Sequence, residues 1–329
     1  MEPDLQIRIK GLDDQIANKV GCMVSDIIKG LSEIDRLDFR RMHKVIVAVD
    51  FAQELNEISK LTALGNPIVF TNEDYGIAVA KVLLLPHGSD YEIVPVFNAD
   101  LLIKLTEDPA TEAFKLMFHL VHHELCHVHD DNKKLDILAR VMLKKHYTGK
   151  DKYTGPLAEC CWAEYFANFL SSCSASETSV SMMTDSLVNA IERTKSQIDA
   201  EIRSYRWHGD LDKLMSVFGR HGHFLITTAA YVLGYMDGLN KTLQELSPKA
   251  AACLTGSYFE NTWQGLHPAL REMRAIYPDG WKGLEVYAGI VKLLEDYYAI
   301  MGLFLSTAPD GQAYVKVPFT PETMPFENF

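Results

Sequence analysis

The sequence predicts an α+β fold, with a small mixed sheet and its helices in residues 1–175 and a mainly helical region in residues 176–329. Short runs rich in β-branched residues lie in the first third of the chain, as strands require. From Asp108 onward, apolar residues recur at spacings of three and four, which is typical of helices. The small polar segment SSCSASETS at residues 171–179 marks the predicted boundary between the two regions.

The first region begins with an amphipathic pattern that predicts a helix over residues 13–31, followed by KVIVAV at residues 44–49, which predicts a strand. Another strand is predicted at residues 67–71. GIAVAKVLLL and YEIVPVF flank the turn-forming segment PHGSD and therefore predict a β-hairpin. Because proline cannot donate a hydrogen bond to a neighbouring strand, Pro95 predicts that YEIVPVF is an edge strand.

A long helix is predicted next, with Asp108 as its N-cap and Pro109 in its first turn. We expect a loop at residues 146–156 and then a second helix formed by LAECCWAEYFANFL. Helical spacing continues to about residue 305, and the remaining residues are predicted to be irregular or to form a short strand.

Composition limits the classes of partner. The 329 residues are 47% hydrophobic and 23% charged, and 32 basic against 44 acidic residues give a net charge of −12. This charge argues against nucleic acid or an anionic membrane as a partner. The N-terminus lacks the features of a secretory signal, and the longest apolar run is too short to cross a bilayer. Six cysteines in so long a chain do not suggest a disulfide framework, so we expect a cytoplasmic protein.

The most informative segment is FKLMFHLVHHELCHVHDDNKK at residues 114–134, because it contains the motif HExxH. His123 and His127 are four residues apart, so on a helix both imidazoles lie on one face and can reach one metal ion. Glu124 is next to that face, where a base can take a proton from a metal-activated water. The alternative is that the motif occurs by chance on an ordinary helix.

A catalytic zinc ion normally has three protein ligands, so a third ligand is expected elsewhere. Glu164 is the candidate on the next predicted helix, and Asn168 one turn later could hold a histidine N–H. Glu159 is the rival carboxylate. Cys160 and Cys161 could also bind zinc in place of Glu164, but cysteine ligands would suggest a closed structural site.

The remaining side chains of the motif are expected to have ordinary roles. His119 lies in the same row as the two motif histidines, but the row spans about 12 Å, which is too far for one ion. We therefore expect His119 to be packed or to support the ligands. His122 and His129 are predicted to be solvated or hydrogen-bonded, and Cys126 to be a buried free thiol.

Peptide hydrolysis also needs a donor for the oxyanion that forms when water attacks a carbonyl. His221 and His223 in GRHGHF are the candidate oxyanion donors. Three tyrosines could also supply this hydrogen bond, namely Tyr153, Tyr205 and Tyr231. No spacing rule selects one of these residues.

HExxH followed on a later helix by ExxAN resembles the gluzincin zinc metallopeptidases over about residues 67–170. The resemblance implies a zincin-like core in which His123, His127 and Glu164 bind Zn²⁺, Glu124 is the general base and Asn168 supports the ligands. HHELCHVHD with AEYFAN is also similar to the cytoplasmic peptidases of the ImmA/IrrE type, which cut regulatory proteins. In gluzincins an edge strand pairs with the bound peptide, and the resemblance places YEIVPVF there.

The sequence therefore predicts a zinc metallopeptidase whose substrate is a peptide or protein. The alternative is a catalytically silent zinc-binding scaffold or regulatory protein that uses the same fold to recognise a partner. The two hypotheses share one ligand set and differ in whether a substrate can reach the metal. Substrate specificity, oligomeric state and the role of the helical region are not predicted.

Overall fold

The computed structural model describes residues 5–61, 72–73, 76–77, 80–143 and 147–324. The strand predicted at residues 67–71 lies outside them. The chain divides into a first unit, residues 1–136 with 173–178, and a second unit, residues 137–172 with 179–329. These units differ from the predicted ranges because residues 137–172 pack within the second unit. The predicted α+β class is confirmed by one small mixed sheet and many helices.

The first unit contains the strands β1 (Gln6–Lys10), β2 (Lys44–Ala48), β3 (Asn72–Glu73), β4 (Gly76–Ile77), β5 (Ala80–His87) and β6 (Asp90–Asn98). Its helices are α1 (Asp14–Ile34), α2 (Phe51–Leu61), α3 (Ala99–Leu102) and the greater part of α4 (Glu112–Leu143). The predicted helix at residues 13–31, the predicted strand at residues 44–49 and the predicted hairpin are confirmed. Strand β1 and helix α2 were not predicted.

The main sheet has the strand order β1-β2-β6-β5, in which β1, β2 and β6 are parallel and β5 is antiparallel to β6. The prediction that β6 is an edge strand is therefore wrong. Pro95 is tolerated because the ladder between β2 and β6 begins only at the pair Ile46 and Val96. Among the described strands, β1 and β5 are the edges of this sheet.

Apolar side chains fix the first unit around its sheet. The amphipathic helix α2 contributes Phe51, Leu55 and Ile58 to a hydrophobic core that it shares with β2, β5 and β6. Asp13 caps α1 as its spacing suggests, since its carboxylate accepts hydrogen bonds from the N–H groups of residues 15 and 16 at 3.1 Å. Helix α1 buries an apolar stripe of its own, Val20, Val24, Ile27, Ile28 and Leu31.

The start of α4 differs from the prediction. Asp108 accepts a hydrogen bond from the N–H of Ala110 at 2.8 Å and so shapes the preceding turn. The helix itself begins at Glu112, and the hydroxyl of Thr111 accepts from the N–H of Phe114 at 3.2 Å. Thr111 is therefore the N-cap, three residues later than predicted.

Polar contacts tie α4 to the rest of the first unit. The guanidinium of Arg41 contacts Asp136 at 2.9 Å and Asp90 at 3.0 Å, and donates to the carbonyl of Asn132 at 3.2 Å. The amide of Asn132 in turn donates to the carbonyl of Asp38 at 2.8 Å. The segment between α1 and β2 thereby fixes the position of α4 against the hairpin.

The second unit is built from helices and one hairpin. These are α5 (Asp151–Ser171), most of α6 (Glu177–His208), α7 (Leu211–Phe218), α8 (Phe224–Gly238), α9 (Leu243–Leu246), α10 (Pro248–Leu254), α11 (Glu260–Ile276), α12 (Ala288–Ile300), β7 (Phe304–Thr307) and β8 (Ala313–Lys316). A π-helical segment, Gly219–His223, joins α7 to α8. The loop predicted at residues 146–156 is wrong in its second half, since α5 begins at Asp151 and contains Pro156. None of the helices in the described residues is both long enough and apolar enough to span a bilayer.

Helices α5 and α8 pack closely because α8 carries glycines where the two helices meet. A Cβ atom at Gly234 would lie 2.5 Å from the carbonyl oxygen of Tyr165 and 2.7 Å from Cβ of Asn168. A Cβ at Gly238 would lie 2.5 Å from the carbonyl oxygen of Phe169. Backbone atoms cannot move aside cheaply, so this approach requires glycine. The position of α5 therefore depends on α8.

Gly234→Ala is expected to destabilise the second unit by about 1–3 kcal/mol, because the added methyl group overpacks the α5–α8 contact. Gly289→Ala on α12 is the matched control, since nothing lies within 4 Å of its added Cβ. The control is expected to be neutral or stabilising by up to about 1 kcal/mol.

Urea unfolding followed by tryptophan fluorescence measures both variants. All four tryptophans, Trp162, Trp207, Trp263 and Trp281, belong to the second unit, so the signal reports that unit. Equal midpoints for the two variants would contradict the proposed role of Gly234.

Candidate metal centre

Helix α4 places the motif histidines on a largely buried surface. Val121, Leu125 and Val128 are buried and anchor the apolar side of the helix. His123 is only 5% exposed, whereas His127 and Glu124 are partly exposed. An imidazole that is removed from water requires a hydrogen-bond or metal partner to offset its desolvation. The motif is therefore located where a bound ion would be partly shielded from solvent.

The side chains of His123 and His127 converge. Their Nε2 atoms are 3.1 Å apart, and their rings are perpendicular with centroids separated by 4.7 Å. Two nitrogen ligands of a tetrahedral zinc ion, each at about 2.0–2.1 Å, lie roughly 3.3 Å from one another. The observed separation matches that requirement, so the pair fits a zinc ion without a large change in either side chain.

Ser174 organises two further histidines of the same helix. Its hydroxyl lies 2.9 Å from Nδ1 of His119 and 2.9 Å from Nδ1 of His122. His119 is packed, as predicted. His122 is also buried, which corrects the expectation of a solvated ring but agrees with that of a hydrogen-bonded one. Burial lowers the pKa of His122 to about 4, so the ring is neutral at pH 7.

His129 and Cys126 have the structural roles that the sequence suggested. Nδ1 of His129 accepts a hydrogen bond from the N–H of Asp38 at 2.8 Å. Cys126 is fully buried, and burial raises the pKa of its thiol well above the usual value. The thiol is therefore protonated at neutral pH.

Helix α5 of the second unit carries Glu164 and Asn168. Glu164 is partly exposed, although one of its carboxylate oxygens is buried. Asn168 is buried and donates through Nδ2 to the carbonyl of Tyr231 at 3.0 Å, which links α5 to α8. The amide N–H of Asn168 therefore serves the helix packing. Its predicted support for a histidine ligand stays a prediction.

The rival ligands on α5 have different surroundings. Glu159 accepts a hydrogen bond from the hydroxyl of Tyr147. Cys161 is fully buried, and burial raises the pKa of its thiol well above the usual value. Cys160 and Cys161 stay alternatives to Glu164, because a bound metal ion would displace the proton of a coordinating thiol.

The candidate oxyanion donors lie on the π-helical segment of the second unit, a type of distortion that is frequent at functional sites. Nε2 of His223 is 2.8 Å from the hydroxyl of Tyr298, and the ring packs against Phe218. Burial lowers the pKa of His223 to about 4. His221 is buried, whereas His223 is partly exposed. Their role in catalysis stays a prediction.

The pKa of His223 predicts a pH-dependent stability for the second unit. The folded ring titrates near 4 and the unfolded ring near 6.5, so the unfolded chain binds more protons between these values. The stabilisation that the neutral His223 ring gives the folded state is complete above the pKa of the ring in the unfolded chain. It is lost as the pH falls toward the pKa of the ring in the folded chain. From about pH 7.5 to about pH 5, the wild type is expected to lose roughly 2 kcal/mol more than His223→Phe.

Urea unfolding monitored by tryptophan fluorescence at both pH values measures this difference. His223→Phe keeps the aromatic packing and removes the titrating group. If wild type and variant show the same pH dependence, the buried neutral state of His223 is refuted.

The motif residues divide between the two units of the structure. His123, Glu124 and His127 belong to the first unit, and Glu164 and Asn168 belong to the second. Protein-family models, curated proteins and solved structures were compared with the chain, and none of them matches it. The resemblance to gluzincin peptidases thus rests on the motif residues themselves.

Proposed function

We propose that this chain is a zinc metallopeptidase in which His123, His127 and Glu164 hold one Zn²⁺ ion and Glu124 is the general base. The observation that carries the proposal is the 3.1 Å separation of the two Nε2 atoms on α4. Two nitrogens and one carboxylate are a ligand set of catalytic rather than structural zinc, because they leave a coordination position open.

Glu164 supplies the carboxylate of this ligand set from helix α5. Helix α5 is fixed by its contacts with α8, so Glu164 is presented by a rigid element rather than by a loop.

A zinc ion held by these residues would supply Lewis-acid chemistry, which lowers the pKa of water and polarises a carbonyl group. Glu124 then accepts the proton of the attacking water and delivers it to the leaving amine. Its position directly after His123 places the carboxylate beside the ligands. Asn168 holds α5 in place through Tyr231, and a substrate peptide would pair with an edge strand.

The correction of the strand order changes which strand offers that edge. Because β6 lies between β2 and β5, the edge available on the hairpin is β5 among the described strands. We assign peptide pairing to β5. The six cysteines all lie in described residues and form no disulfide bond with one another. We propose a reducing compartment such as the cytoplasm.

The Glu164→Ala variant is expected to bind one zinc ion less per chain than the wild type, because the substitution removes one of three protein ligands. Glu159→Ala is the matched control on the same helix and is expected to keep the wild-type zinc content. Elemental mass spectrometry of the purified proteins, with circular dichroism to confirm folding, measures both.

Unchanged zinc in Glu164→Ala would exclude this residue as a ligand. Loss of zinc in Glu159→Ala alone would assign the third ligand to Glu159.

Glu124→Gln is expected to keep its zinc and to lose about 10²–10⁴-fold in kcat, the usual contribution of a general base. Cleavage of an unfolded protein substrate, followed by mass spectrometry, measures the rate. Glu112→Gln in the exposed first turn of α4 is the control and is expected to retain full activity.

Full activity in Glu124→Gln would refute the mechanism. Zinc binding by a wild type that cleaves no peptide would instead support the scaffold hypothesis.

A further inference from the structure

A second group of metal-ligand side chains lies within the first unit. A carboxylate oxygen of Asp35, a ring nitrogen of His122 and the sulfur of Cys173 all lie within 4.8 Å of one another. Oδ2 of Asp35 is 3.7 Å from Nε2 of His122. The three residues come from the end of α1, the middle of α4 and the turn that follows α5. No motif or spacing in the sequence predicts this group.

The ring of His122 is oriented for this group by Ser174, whose hydroxyl lies 2.9 Å from Nδ1. The hydroxyl occupies Nδ1 and leaves Nε2 as the ring atom that faces Asp35. Metal-binding histidines are normally held in this way through their other ring nitrogen.

The backbone at the end of α1 fixes the carboxylate. Asp35 is the C-cap residue, and its N–H donates to the carbonyl of Leu31 at 3.2 Å. Arg36 has φ +54°, the left-handed conformation that ends a helix. The last turn of α1 contains no basic residue, although a positive charge is favourable at a helix C-terminus. A bound cation would add a positive charge beside the Asp35 carboxylate at this end of the helix.

We infer that Asp35, His122 and Cys173 form a second metal site, separate from the HExxH motif, that binds a borderline divalent transition metal such as Zn²⁺ or Co²⁺. One oxygen, one nitrogen and one sulfur donor are suited to these ions rather than to Mg²⁺ or Ca²⁺. In a tetrahedral site the ligand atoms lie about 3.3–3.8 Å apart, which the pair Asp35 and His122 already satisfies.

The second site is distinct from the first because His122 and His123 are consecutive on α4. Consecutive residues of an α-helix project about 100° apart, so the two rings face different directions. Asp35 and Cys173 are exposed, whereas His122 is buried. The ion would thus be held from the protein side by His122 and would exchange with solvent on the other side.

Cobalt substitution tests this site without any assay of catalysis. The full-length protein is stripped of metal with a chelator and titrated with Co²⁺ under anaerobic conditions. We expect a near-ultraviolet thiolate-to-cobalt charge-transfer band that saturates within two equivalents, because Cys173 supplies a sulfur ligand and the HExxH site can take the other ion. The ligands His123, His127 and Glu164 contain no sulfur and cannot give this band.

Cys173→Ser is expected to abolish the band, and Asp35→Asn to weaken the affinity for Co²⁺ by at least about tenfold. Both positions are exposed, so neither change removes a core side chain. Cys22→Ser, at an exposed cysteine on α1, is the matched control and is expected to keep the band. Glu164→Ala is expected to keep it too, which separates this inference from the proposed peptidase site.

Absence of the band in the wild type would overturn the inference. So would a band that survives Cys173→Ser, or one that disappears in Cys22→Ser or Glu164→Ala.

Discussion

The burial of imidazole rings along α4 is the constraint on which the arrangement of the first unit depends. His119, His122 and His123 are 6%, 1% and 5% exposed. Rings so far removed from water need partners, and the structure supplies them from distant segments. Ser174 serves His119 and His122, while His127 lies beside His123. The position of α4 is therefore fixed by polar contacts as well as by its apolar stripe.

In the second unit, the position of α5 depends on glycine residues in α8. Gly234 and Gly238 let the backbone of α8 approach α5, and this approach brings Asn168 within hydrogen-bond distance of the carbonyl of Tyr231. Tyr165 donates to Asp237 at 2.5 Å across the same pair of helices. These contacts hold α5 in place without any metal. The proposed ligands are thus carried by helices whose positions are set by packing within each unit, which lowers the cost of ordering them around an ion.

The parts of the fold that sequence could predict are those determined by local chemistry. The first helix, the hairpin between β5 and β6, and the helical spacing of α4 each depend on residues close together in the chain. The order of the strands does not, and Pro95 misled the prediction because it lies one residue before the ladder with β2 begins. The cap of α4 was misplaced because Asp108 shapes a turn just upstream, and Thr111 has the same capping chemistry.

The same distinction applies to the candidate sites. His123, Glu124 and His127 lie within one helical turn and form a recognisable pattern, whereas Glu164 needed the resemblance to a family. Asp35, His122 and Cys173 are 87 and 51 positions apart in the sequence, and no spacing rule joins them. Only folding brings them together. The contacts of Ser174 with the histidines could not be predicted either, because serine is a common residue in a small polar segment.

Helix geometry also decides which of the two proposed metal sites can be catalytic. Glu124 follows His123 by one residue and precedes His127 by three, so its carboxylate borders the surface that those two rings share. Relative to His122, Glu124 is two residues away, or about 200° around the helix axis, and it therefore faces the opposite side of α4. A base on α4 can serve only the HExxH histidines. The proposed hydrolysis is therefore assigned to that site, and an ion at the inferred site of Asp35, His122 and Cys173 would have a role that does not use Glu124.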